Sequence, residues 1–135
     1  MRGTFNNAQS FNQPIDGWDV SSVTQMPSLF SKASSFNQPL NSWDVSNVVN
    51  MSGMFIEATS FNQPLENWNV SNVTNMAGMF AGNNGIQEEM TFNQDISNWD
   101  VSSVTTFQYM FVHNSVFNSD LGAWNVGSAS NFSYM

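Results

Sequence analysis

Asp19, Asp44, Asn69, Asp100 and Asn125 follow one another at intervals of 25, 25, 31 and 25 residues, with Asp16 and Glu66 each three residues ahead of a member. Oxygen side chains repeated at a fixed interval could supply several ligands to one hard cation, so calcium is conceivable along this column. A solvated, partly screened acidic face is the plainer reading. A second column, Asn12, Asn37, Asn62, Asn93 and Asn118, carries amides that could bond sugars. Stacked amides more commonly bond one another and the nearby backbone. Ser21, Ser46, Ser71 and Ser102 read as turn caps.

Groups suited to catalysis are few. His113 is the single histidine and the chain has no cysteine, so no thiolate nucleophile, disulfide or cysteine–histidine metal site can form. Glu88 and Glu89 adjoin each other in the stretch "AGNNGIQEEMT", but neighbouring carboxylates do not form a positioned acid–base pair. Met51, Met54, Met76 and Met79 share a spacing with phenylalanines and read as core rather than as soft-metal ligands. Neither enzymatic activity nor a bound cofactor is expected. The net charge of -8 opposes contact with nucleic-acid phosphates. No apolar run is long enough to span a bilayer, so no membrane insertion of this segment is expected.

The elements that hold these columns repeat with them. Trp18, Trp43, Trp68, Trp99 and Trp124 keep the same intervals, as do Phe11, Phe36, Phe61, Phe92 and Phe117. The unit reads F-N-Q-P-L-x-x-W-D-V-S-x-V-x-x-M-x-x-M-F-x-x-A-x-S. One copy holds too few apolar groups to offset the entropy of ordering its own backbone. Stability must therefore come from copies stacked so that each ring covers its equivalent in the next.

The pattern predicts a single repeat solenoid over residues 1–135, leucine-rich-repeat-like, of about five 25-residue coils. A partial coil covers 1–10, full coils cover 11–35, 36–60, 61–91 and 92–116, and a partial coil covers 117–135. Phe36, Leu40, Trp43, Val45, Met51, Phe55, Phe61, Trp68 and Trp99 are the expected core. Trp43 and Val45 are two apart, which suits a short parallel strand with Asp44 facing out. Val48, Met51, Met54, Phe55 and Ala58 recur at threes and fours, which suits a short helix or 3-10 turn. The eleven residues between Phe80 and Phe92, where other coils have five, predict an outward bulge whose removal leaves the coils in register.

In "FNQPLNSWDVSNVVNMSGMFIEATS" nearly every position resembles the BspA-like leucine-rich repeats and the repeat of about 26 residues found in bacterial surface proteins. The resemblance covers almost the whole chain. It departs where Asp95 and Asp120 replace proline, where Phe107 and Phe132 replace methionine, and where Ala129 replaces valine. It implies an extracellular or cell-surface solenoid used for adhesion or partner binding. The expected partner is a protein or glycan, met through the strand face bearing Asp16, Asp19, Asp44, Glu66, Asn69, Asp100 and Asn125, with Glu88 and Glu89 in the insertion as further contacts. Homotypic end-to-end association is the alternative, since both ends fall inside the repeat.

Overall fold

A computed structural model describes residues 1–83 and 89–135. The described residues contain no helix and no strand longer than an isolated bridge. Four parallel bridges connect Gln25, Asn50, Asn75, Thr106 and Asn131 in series, so each unit lies beside the next in parallel register. Backbone bonds reinforce the pairing on both sides: Val49 N donates to Thr24 O, Met26 N to Asn50 O, Thr74 N to Val49 O, and Met51 N to Asn75 O.

The pairing therefore falls at Val49–Met51, six residues past the expected Trp43–Val45. Turns close on both sides of that tripeptide, with Trp43 N donating to Leu40 O and Val48 N to Val45 O. Too few residues remain between them for a ladder. Trp43 reaches the neighbouring unit through its ring instead, its Nε1 donating to Ile15 O at 3.0 Å. Trp43 and Val45 are buried and Asp44 is exposed.

The segment Met51–Ala58 differs from the expected helix for a backbone reason. Met54 N, Ile56 N and Ala58 N donate to Met51 O, Gly53 O and Phe55 O, each three residues back. The amides between them leave the unit: Gly53 N, Phe55 N and Glu57 N donate to Ala77 O, Met79 O and Ala81 O. This is a run of overlapping turns whose alternate N–H groups bond the next unit. Gly53 and Glu57 have φ of 60° and 55°, left-handed values that a right-handed helix cannot contain. Ser28, Lys32, Tyr109 and His113 repeat the same pair of positions.

Between the bridges and the turns lies the core. Phe30, Phe55 and Phe80 stack at 5.5 and 5.6 Å between ring centroids, and Phe36, Phe61 and Phe92 at 5.9 and 6.1 Å. The two columns lean on each other within each unit, at 4.1 Å for Phe55 and Phe61. Phe36, Leu40, Trp43, Val45, Met51, Phe55, Phe61, Trp68 and Trp99 are all buried.

The longer fourth unit keeps the register on either side of its extra residues. Gly82 N donates to Val112 O at 2.8 Å, Thr91 Oγ1 donates to Thr59 O at 2.7 Å, and Met90 is fully buried. The expected outward bulge centres on residues 84–88, which lie outside the described residues.

Candidate functional site

The acidic column lies on turns rather than on a strand. Asp19 Oδ1 accepts from Ser21 N at 3.0 Å and from Ser21 Oγ at 2.6 Å, and Asn69 Oδ1 accepts from Ser71 N and Oγ in the same way. Asp44, Asp100 and Asn125 accept from the amides of Ser46, Ser102 and Gly127. The serines expected to cap these turns are thus their donors. A side-chain oxygen closing a turn two residues ahead is the usual structural task of Asp and Asn.

Electrostatics follow from that geometry. The neighbouring serine side chain, then the serine amide, hold the carboxyls of Asp19, Asp44, Asp95 and Asp100 below their ordinary value. At Asp44 the charge of Asp19 in the previous unit works against this. A carboxyl that titrates lower folded than unfolded stabilises the fold fully above its unfolded pKa, and that contribution fades as pH falls through the folded one. Asparagine keeps the accepting oxygen, as Asn69 and Asn125 do. Replacing these four aspartates with asparagine should therefore flatten the fall in melting temperature below about pH 4. A variant that loses stability in acid as steeply as the parent would show that the turns owe nothing to ionisation.

The remaining candidates scatter. Asp16 and Glu66 are exposed, and Glu66 Oε1 accepts from Asn41 Nδ2 in the previous unit at 2.9 Å. Glu89 is exposed and accepts from Ser115 Oγ at 2.7 Å. Glu88 lies outside the described residues. Among those described, no three His, Cys, Asp or Glu side chains gather as a metal ion would require. No helix among them is long and apolar enough to cross a membrane.

The asparagine column faces its own neighbours. Asn37 Oδ1 accepts from Asn62 N and Gln63 Nε2, both at 3.0 Å, and Asn62 Oδ1 accepts from Asn93 N and Gln94 Nε2. Each of these two oxygens ties two groups of the following unit.

Tyr109 and Tyr134 form a feature the motif pattern passes over. They take the column that Gly3, Ser28, Gly53 and Gly78 fill elsewhere, and their rings stack at 5.1 Å with 9° between planes. The available sequence signal was a large residue in a column of small ones.

No curated protein and no solved structure matches the chain. One family pattern matches residues 1–91 and again residues 84–135, together spanning the whole sequence. The chain therefore belongs to the family described as Mycoplasma protein of unknown function, DUF285.

Proposed function

We propose that the chain is a repeat solenoid of leucine-rich-repeat-like register, akin to the BspA-like surface repeats. In this reading it serves as a non-enzymatic adhesion module at the cell surface and recognises a protein or glycan partner. The observation that carries the reading is the different use of the polar columns. Tryptophan indoles, the asparagine column and the alternate turn amides are committed to the adjoining unit. Asp19, Asp44, Asn69, Asp100 and Asn125 close only a local turn and stay exposed at the pitch of the repeat. Like groups at a fixed pitch suit an extended partner that makes many weak contacts at once.

Arrays of glycans and of purified surface proteins test this, with the parent compared against a variant carrying Asp16→Asn, Asp44→Asn, Glu66→Gln and Asp100→Asn. Retention of a partner is expected to fall at least about tenfold in the variant, which corresponds to about 1.4 kcal/mol. Unchanged retention of every partner would reject the acidic column as the contact.

End-to-end self-assembly is a second reading, in which the parallel bridges that join each unit to the next continue from one copy to another. Such a heterologous contact need not close. Light scattering that shows mass rising with concentration would support it, and a constant monomer mass would reject it.

A further inference from the structure

Tyr109 is an outlier in its own column. Its φ is 59° and that of Tyr134 is 57°, a left-handed conformation that bulky side chains rarely adopt. At the equivalent positions Gly3, Gly53 and Gly78 meet the same backbone requirement without strain, and Ser28 meets it with a small side chain. Burial does not explain Tyr109, which is 41% exposed. The end of the chain does not explain Tyr109 either. A unit flanks it on each side, with Gly78 N donating to Gln108 O and Tyr109 N to Ser133 O. A strained, solvent-facing aromatic pair where glycine would serve the fold is the kind of outlier that marks a binding surface.

The surroundings select the ligand chemistry. Residues 105–113 and 130–135 around the two tyrosines, and residues 76–82 of the abutting unit, contain no lysine, arginine, aspartate or glutamate, whereas the whole chain carries -8. Gln108 and Ser133, the residues just before the two tyrosines, add an amide and a hydroxyl, and Ser133 is exposed. Rings held by stacking offer contact area with few torsions left to freeze on binding. Amide and hydroxyl groups can both donate and accept. A neutral surface of this make-up offers little attraction to a charged peptide or a polyanion. It matches a hexose unit, which has an apolar C–H face and a rim of hydroxyls.

We propose that Tyr109 and Tyr134 form a binding platform for a neutral saccharide. The proposal rests on the reading of the chain as a binding module but places the contact outside the acidic column. Isothermal titration of the parent with maltohexaose, cellohexaose and chitohexaose tests it. At least one is expected to bind with a Kd on the order of 1 mM. The double variant Tyr109→Gly with Tyr134→Gly should keep its cooperative melt, because glycine is native to this column, and should bind at least about tenfold more weakly. Tyr109→Phe with Tyr134→Phe preserves the rings and should stay within about threefold of the parent.

Equal binding by the glycine variant would overturn the platform, and so would failure of the parent to bind all three saccharides. Loss of saccharide binding in the acidic-column variant but not in the glycine variant would also overturn it, while leaving the module reading in place. Should the glycine variant fail to fold, ring-proton shifts of Tyr109 and Tyr134 in the parent on adding saccharide decide instead. Their absence at saturation would overturn the proposal.

Discussion

Trp68→Ala is expected to destabilise the fold by about 3–5 kcal/mol, the range for removing a large buried aromatic. The indole is buried and stacks on Trp99 at 6.4 Å with 6° between planes. Its Nε1 donates to Leu40 O at 2.8 Å, and that oxygen also accepts from Trp43 N at 3.0 Å. Truncation therefore leaves a cavity and withdraws one of two donors from a buried carbonyl. Because each unit rests on its neighbours, damage in the fourth unit, residues 61–91, separates the stack into two shorter pieces that are each less stable. Trp68→Phe refills much of the volume without restoring the N–H, so it should recover only part of the loss. Chemical denaturation followed by far-UV circular dichroism measures both. A midpoint for Trp68→Ala within error of the parent would mean that the stack does not depend on its ring column.

The rings were the legible part of this fold. Trp43, Trp68 and Trp99, with the two phenylalanine columns, announce a repeat, and the stacks at 5.5 to 6.1 Å follow the columns read from the sequence. The backbone between them was less legible. Met51, Met54, Phe55 and Ala58 sit at helical intervals, yet overlapping turns bury the same residues. Hydrophobic period reports which side chains go inward and not where an N–H points. The missed cue was Gly3, Gly53 and Gly78 in one column, which signals a left-handed position that a helix would not need. Ser28 and Tyr109 in the same column obscured it.

For the candidate site, identity was readable and local chemistry was not. Asp44 and Asp100 could be placed on an outer face from their neighbours Trp43, Val45, Trp99 and Val101. The serine column was read as turn caps, but that the aspartate accepts and the serine two residues on donates was not legible in Ser46 and Ser102 themselves. Tyr109 and Tyr134 carry no motif, and only the left-handed backbone beneath them sets them apart.

Excision of the extra residues in the fourth unit should succeed or fail according to one side chain. Deleting 83–88 leaves five residues between Phe80 and Phe92, the number found between Phe55 and Phe61. The shortened segment Phe80-Ala81-Gly82-Glu89-Met90-Thr91-Phe92 then aligns with Phe55-Ile56-Glu57-Ala58-Thr59-Ser60-Phe61. Glu89 thereby enters the column of Ala33 and Ala58, both fully buried. The next member of that column, Asn114, is itself buried with an unpaired Oδ1, so it offers the carboxylate no second donor beyond an amide already bonded to Phe92 O. An unpaired buried carboxylate costs roughly 3 kcal/mol or more. The deletion alone is therefore expected to lose that much, and the deletion with Glu89→Ala to hold or gain stability, since a shorter loop closes at less entropic cost. Acid supplies an independent readout. Burial raises a carboxyl pKa, so the deletion alone should recover stability as pH falls through that raised value, while the alanine version should not. Equal stability of the two deletions at neutral pH would show that residue 89 does not enter the alanine column, and the alignment of the fourth unit would have to be redrawn.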